Sequence, residues 1–437
     1  MGALHRCVVA LGLAFAMPAA AAGLDEPQVG GVFGSAAATN PSAVFWNPAG
    51  LAAARGTRFL LDLSPTFRRM TIDRPGPARP GPETFTDATP APFVGLASDF
   101  GVKRVGVGFA LFVPASQRWA STDAGQTLHR DTLRSVTLRL LQIALAGSYD
   151  FGRGVSIGVS ASVVDSRQAW TYDVPVVDGT DATVTTDLED QATTFGVGLY
   201  LRPYKDPRLG IAVSYNHGFT LNQQGLIDLA IRCPGESPCG TTPQGLGGVA
   251  LTLPSRVHAG IKVRPVRGLR LEAFGTWVGW SRHRDAEVTR TVAPDAVEGE
   301  DAAAIASALT SERRWARDLR DTFRAVLDAK FAVNSRFTVG VRAGFDQAAV
   351  PTAALSPINA DADTVRLSGL GLFRPSRSLQ LGVSYGQDLA REREVTESAF
   401  GLDGTRANRY RYPETQGRYT FRTQRVGLIV KGTIGPR

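Results

Sequence analysis

Beyond the extreme N-terminus the chain carries four histidines, His129, His217, His258 and His283, and nucleophilic catalysis at a serine or cysteine would have to run through one of them. Ser255 and Ser281 are near His258 and His283 in sequence, but neither spacing matches a hydrolase pattern. His258 falls on the polar side of an alternating run, where a hydrogen-bonding role inside the fold accounts for it. No glycine-rich loop opens a helix in the manner that cradles phosphate. No group of His, Cys, Asp and Glu has metal-ligand spacing. No enzyme activity, cofactor or metal is expected. Cys233 and Cys239 lie close together, and in an exported chain that spacing suggests a disulfide closing a small loop. A metal site there is disfavoured, because no histidine is nearby. Arg256, Lys262, Lys330 and Arg342 also lie on polar faces. They could hold a ligand carboxylate, or they could pair with Glu272 and Asp328 across the fold. The second reading is preferred, since a buried charge needs a partner and an internal network supplies one.

The stretch most in need of an explanation is Gly34 to Ala52, GSAAATNPSAVFWNPAGLA. It is built from small residues and holds Asn-Pro twice. Pro48 lacks a backbone donor and biases Asn47 away from helix. Small residues let a segment thread a tight space, and Phe45 and Trp46 provide an anchor and possible ligand contacts. Two readings stand: a plug inside a β-barrel, or a surface turn ahead of the first strand.

The remainder of the chain chooses between them. His5 and Arg6, an apolar run from Cys7 to Met17 and the small residues Ala19 to Ala22 read as a secretory signal over residues 1–22. Downstream, period-2 alternation dominates. Val155, Ile157, Val159, Ala161 and Val163 alternate with Ser156, Gly158, Ser160 and Ser162. Phe323, Ala325, Leu327, Ala329, Phe331 and Val333 alternate with partners that include Arg324, Asp328 and Lys330. Such runs reach the length that a tilted membrane strand needs. Fourteen are expected, starting near Arg58, Ala91, Arg104, Thr132, Arg153, Gln191, Pro207, Leu251, Gly268, Arg320, Arg336, Asp361, Arg377 and Gly417. Short connections such as Gly152, Asn334-Ser335 and Pro375-Ser376 alternate with long ones, among them Val174–Asp190, Gly225–Ala250 and Arg284–Leu319. Short turns on one side and long loops on the other mark an outer-membrane barrel. Tyr149, Phe151, Trp170, Tyr204, Tyr215, Trp277 and Tyr385 near segment ends fit interfacial girdles. The segment Asp295 to Trp315 reads as a loop helix, from its Ala, Glu and Arg content. The net charge of +8 is scattered, so nucleic acid is not an expected partner.

At this point the chain resembles the FadL/TodX family of outer-membrane hydrophobic-compound transporters. Asn47-Pro48-Ala49 after a small-residue run matches the family's N-terminal hatch motif. Leu253-Pro254-Ser255 before Gly260, Trp280-Ser281, Arg342-Ala343-Gly344-Phe345-Asp346, Val350-Pro351 and Ser356-Pro357 follow in the family's order. Asn40 stands where the family usually has an acidic residue. The resemblance implies a fourteen-stranded barrel, a hatch inside it, and lateral diffusion of a hydrophobic ligand through a kinked third strand. Gly106 and Gly108, in the segment Arg104–Pro114, are the expected place of that opening. The expected organisation is a hatch over 23–57 and an all-β transmembrane barrel over 58–437 with long external loops. The expected function is passive uptake of a hydrophobic small molecule by a monomer in contact with outer-membrane lipid. Long-chain fatty acid is the first class and aromatic hydrocarbon the second. The alternative is a structural or adhesion barrel binding an external partner through its loops.

Overall fold

The computed structural model describes residues 29–53, 55–73, 82–122, 133–177, 180–203, 208–232, 244–282, 285–292, 313–316, 319–397 and 415–434. Their strands form one closed antiparallel barrel of fourteen. In chain order, β1 is Thr57–Leu63 continued by Thr66–Asp73, β2 is Glu83–Thr89 with Pro92–Ser98, and β3 is Val105–Phe112 with Ser116–Ser121. β4 (Ser135–Asp150), β5 (Val155–Val177) and β6 (Thr180–Leu201) are unbroken. β7 is Leu209–Asn216 with Phe219–Arg232, β8 is Gln244–Leu253 with Arg256–Val263, and β9 is Leu269–Val278 with Asp285–Val292. β10 is Arg313–Ala316 with Thr322–Ala332, then β11 (Phe337–Asp346) and β12 (Thr364–Phe373). β13 is Leu379–Ala390 with Arg393–Val395, and β14 (Gly417–Ile434) returns to pair with β1 from Thr57↔Ile434 to Leu63↔Leu428.

Alternation decides which side chains meet lipid. Leu145, Val159, Leu327, Val341 and Val383 are exposed on the outer face, while Ser156, Ser160, His258 and Asp328 beside them are buried inside. The long connections expected at Val174–Asp190 and Gly225–Ala250 are instead partly strand. β5 and β6 stay paired through Thr171↔Thr185, and β7 and β8 through Asp228↔Gln244. The inward face there keeps apolar members, Tyr172, Val184, Leu188 and Ile227, while Thr185, Asp187 and Glu189 face out, and the ladder continues because each backbone still finds its partner. Trp315, expected in a loop helix, lies in the short strand Arg313–Ala316, and residues 293–312 fall outside the described residues.

Proline sits at four of the strand breaks: Pro65, Pro90, Pro114 and Pro254. It removes a ladder donor at each. Some breaks leave the neighbouring register intact, as between β1 and β2, and others shift it, by one residue between β3 and β4 and by three between β8 and β9. Two shifts that fall wholly among the described residues open a gap in the wall. β2 and β3 pair from Ser98↔Val107 to Phe93↔Phe112, and again at Thr86↔Ala120 and Phe85↔Ser121, with no pair between these stretches. β6 and β7 pair from Leu201↔Ile211 to Gly196↔Asn216, and again from Glu189↔Gln224 to Asp181↔Arg232, with none between.

The segment 29–53 lies inside the barrel. It forms one helical turn, Ala43–Trp46, and a 3-10 helix, Pro48–Ala53, packed on the inner faces of β3, β4, β5 and β6. Of the two readings of this stretch, the surface turn is excluded: Asn47, Ala49, Leu51 and Trp46 are all buried.

Candidate functional site

The inner segment is fastened from its own side chains upward. The Asn47 amide nitrogen donates to the Leu199 carbonyl at 3.0 Å and the Val213 carbonyl at 3.4 Å, spanning β6 and β7. Its oxygen accepts from the Ala49 N–H at 3.1 Å, which shapes the turn into Pro48–Ala53. Trp46 donates its indole N–H to the Val29 carbonyl at 2.8 Å and packs edge-on against His258 and Phe274. From the barrel, Ser214 donates to the Trp46 carbonyl at 2.5 Å and Asn216 to the Phe45 carbonyl at 3.1 Å. Asn40 accepts from both the N–H and the hydroxyl of Ser42, at 2.9 and 2.7 Å. An amide oxygen thus supplies an acceptor without the charge that the family usually places there.

Of the lumen cations, Arg342 pairs with Asp328 as preferred from sequence, and Arg342, Lys262 and Lys330 also meet the inner segment, a role that the sequence did not suggest. Arg342 pairs with Asp328 through two bonds of 2.5 and 2.6 Å, and also donates to the Val32 and Gly34 carbonyls at 2.5 and 2.8 Å. Lys262 donates to the Ala37 carbonyl at 2.7 Å, so its ammonium serves the inner segment. Lys330 lies over the Phe33 ring at 4.5 Å. Arg256 is buried on β8. His258 is wholly enclosed: Nδ1 meets the Thr276 hydroxyl at 2.8 Å and Nε2 approaches the Asn216 amide at 3.4 Å. The hydroxyl, the amide and the rings of Phe45 and Trp46 hold the imidazole in place.

Gly106 and Gly108 are not at a break. Both are paired to β4, at Gly106↔Ser148 and Gly108↔Ala146, and Gly108 also pairs with Ala97 on β2. Their smallness has another cause. A Cβ on Gly106 would stand 2.5 Å from the Leu51 carbonyl carbon, and one on Gly108 would stand 2.6 Å from a Val44 methyl. The inner segment presses on the wall here, and only glycine leaves room for it. The interruption in β3 comes further on, from Val113 to Trp119 against Asp87 to Pro92. Its inner end, just past a bond from the Val113 N–H to the Pro92 carbonyl at 3.4 Å, is apolar, with Pro90, Pro92, Val113, Pro114 and Ala115, and its outer end carries Asp87, Thr89, Ser116 and Gln117. Arg68 reaches across from β1, donating to Asp87 at 2.9 Å and to the Ser116 carbonyl at 3.4 Å.

Phe45 links the inner segment to that apolar end. Its ring packs edge-on against Phe112 at 5.5 Å, and Phe112 stacks on Phe93 at 6.0 Å. Phe112 and Phe93 form the last ladder pair before the gap. Above them the lumen is apolar. Met70, Phe85, Trp119, Trp170, Tyr172 and Trp280 belong to one buried cluster in the outer half. A second cluster joins Ala115, Leu138, Leu140, Val164, Leu221 and Leu251 at the level of the gap. The inward row of β4 passes through the two outer clusters and then, past the buried Gln142, the one around the inner segment: Val136, then Leu138 and Leu140, then Ala144 and Ala146. Sequence reading missed this row because its outer neighbours, Ile143 and Leu145, are apolar too, so alternation does not show which face is which. Cys233 and Cys239 lie outside the described residues. Among the described residues no group of three or more His, Cys, Asp and Glu is placed to hold a metal.

Comparison with known proteins agrees with the architecture. The chain is similar to a Pseudomonas aeruginosa FadL homologue of known structure, with 15% identity, 96% of this chain and 99% of that one covered, and a TM-score of 0.72. It is similar to the Pseudomonas putida toluene transporter TodX, at 12% identity, 92% and 95% coverage and a TM-score of 0.68. The Ralstonia pickettii toluene transporter TbuX aligns at 14% identity, 91% and 94% coverage and a TM-score of 0.60. Comparison with curated protein sequences finds none that matches. A family profile described as outer membrane protein transport protein (OMPP1/FadL/TodX) matches residues 11–431. The fourteen-stranded barrel is therefore an outer-membrane protein, and the chain belongs to the OMPP1/FadL/TodX family of hydrophobic-compound transporters.

Proposed function

We infer that this barrel moves long-chain fatty acids, and monoaromatic hydrocarbons as a second class, passively from the outside into the outer membrane through its wall. The observation that carries the reading is the apolar inward row of β4. It runs from the buried cluster under the external loops to the gap between β2 and β3. An apolar solute gains little from a watery lumen, so a path that leads sideways into lipid suits it better than one straight through. In this reading the segment 29–53 is the hatch, and Asn47, Pro48 and Ala49 fix it. Phe45 and Trp46 touch the ligand as it reaches the rim, and Arg68 with Asp87 closes the gap when no ligand is present. A purely structural or adhesive barrel has no use for an apolar row ending at a break in its own wall.

The test is uptake of radiolabelled oleate and of toluene by cells that lack such a channel and express this chain, with heat-modifiable gel migration as the folding control. Uptake of either probe above the empty-vector level is expected, with oleate the faster. A folded barrel that moves neither would overturn the reading and leave the adhesion alternative. Faster toluene than oleate would reverse the order of the two classes.

A further inference from the structure

The wall has a second gap, and the transport reading does not use it. Between the pairs Gly196↔Asn216 and Glu189↔Gln224, β6 advances seven residues while β7 advances eight. The extra residue falls at His217-Gly218, and the inward phase of β7 reverses there: Ala212 and Ser214 face in before it, Leu221 and Gln223 after it. The neighbouring strand follows. β8 breaks at Pro254-Ser255, and Ser255 accepts the Gly218 N–H at 2.9 Å and meets the Tyr215 hydroxyl at 3.1 Å. A side chain at Gly218 would strike the Leu253 carbonyl at 2.6 Å, so glycine is required. Cross-links frame the opening without filling it. His217 N–H donates to the Phe195 carbonyl at 2.8 Å, Thr194 donates to the His217 carbonyl at 2.6 Å, and Asn222 N–H donates to the Asp190 carboxylate at 2.7 Å. The His217 ring stacks on Phe195 at 4.7 Å, at the outer edge of the apolar belt.

A cavity of about 710 Å³ occupies this place. Its outer rim is hydrogen-bonding: Gln191, Thr193, Thr220 and Asn222 are exposed, with Thr252 beside them, and its two charged members are of opposite sign, Arg282 and Asp190, the latter held by the Asn222 N–H. Its inner wall is apolar, with Ala192, Phe219 and Leu253. These three belong to the cluster that contains Ala115, which lies on the rim of the β2–β3 gap. One apolar layer therefore spans the lumen between two breaks in the wall. The break at β2–β3 is apolar at its inner end, at Pro90, Pro92, Val113, Pro114 and Ala115, and the break at β6–β7 presents mainly hydroxyls and amides on its outer rim.

We propose that the β6–β7 gap is a second lateral portal, and that it takes single-chain amphipaths whose head is an uncharged hydrogen-bonding group, such as a long-chain alcohol. The head meets Thr193, Thr220 and Asn222 at the outer interface, and the chain lies along Ala192, Phe219 and Leu253. This rests on the transport reading, and the experiment separates the two. Hexadecanol and toluene uptake are measured for the wild type, for an occluding variant, Ala192→Trp with Thr220→Trp, and for Thr193→Val with Thr220→Val. The last keeps shape, removes two hydroxyls, and decides the matter if the first fails to fold. A diazirine-bearing hexadecanol is photolysed on each folded protein and its adducts are mapped by mass spectrometry. The occluding variant is expected to lose hexadecanol uptake and keep toluene uptake, and the valine variant to lose hexadecanol uptake in part. Adducts are expected on residues 190–195 and 217–223. Unchanged hexadecanol uptake in the folded variants, equal loss of both probes, or adducts confined to the β2–β3 rim would each overturn the proposal. A wild type that moves neither probe refutes transport itself, and the adduct map still decides whether the site exists.

Discussion

At the scale of single residues, Asn47 does more than its neighbours. One amide donates to carbonyls on two strands and accepts from its own turn. Alanine would remove all three bonds and leave the Leu199 and Val213 carbonyls without that donor in the lumen. Buried polar groups that lose a partner typically cost about 1–3 kcal/mol. Asn47→Ala is expected to leave the barrel folded and loosen the inner segment, read as faster protease cleavage within residues 29–53. Equal cleavage of variant and wild type would show that the aromatic contacts of Phe45 and Trp46 hold the segment by themselves. Asn47-Pro48-Ala49 was legible as an anchor, because Pro48 restricts the chain and small residues surround it. What Asn47 would grip was not legible, since its acceptors lie some hundred and fifty residues away in sequence. Gly106 and Gly108 show the converse. Sequence marks them only as small, and smallness suits a strand break and a close contact equally. The contact with Val44, Leu51 and Ala52 accounts for them.

At the scale of elements, alternation carried most of the information. A strand with one face to lipid and one to the lumen has to repeat every second residue, and the runs through Val155 and Phe323 do so. The register can be tested directly. Val159 is 60% exposed on the outer face of β5, while Ser160 is 9% exposed and faces the lumen over Gly196. Val159→Arg should lower stability in bilayers by roughly 2–4 kcal/mol, the usual effect of a cation on the lipid face near mid-membrane. Ser160→Arg should be milder, provided that its guanidinium can follow the lumen past Gly196. Urea titration of both variants folded into vesicles measures the difference, and equal mild effects would remove β5 from the membrane. The breaks were only partly legible. Proline announces those at Pro65, Pro90, Pro114 and Pro254, but not which of them separates two strands. Nothing in the residues at His217-Gly218 states that β7 gains a residue over β6, because register belongs to a pair of strands and not to one.

At the scale of the molecule, the lumen has two unlike sides. From β10 to β14 it is closed by alternating charges, one to a strand: Arg324, Asp346, Arg366, Asp388 and Arg425, each paired with the next. From β2 to β8 it carries the apolar cluster of Ala115, Leu138, Leu140, Val164, Leu221 and Leu251, and the β2–β3 and β6–β7 gaps fall on that side. A charged row binds water and neighbouring charges firmly and offers an apolar solute nothing. Along that cluster a hydrophobic molecule would not have to cross the charged row. Leu138 and Leu140 are the centre of that route, fully lumen-facing on β4 beside the β2–β3 gap. Replacing both with glutamine keeps the size of the side chains and adds an amide to each. Two polar groups in the lumen can hold water, which costs the fold far less than a buried charge would. Leu138→Gln with Leu140→Gln should therefore fold, migrate as a heat-modifiable barrel and lose oleate uptake. A control on the opposite side, Arg366→Gln, leaves Asp346 and Asp388 short of a partner and should instead lower stability, on the order of 3–5 kcal/mol for a broken buried pair. Those molecules of the control that do fold should still move oleate. Uptake retained by the glutamine variant, or lost equally in the folded control, would mean that the two sides of the lumen do not divide the work in this way.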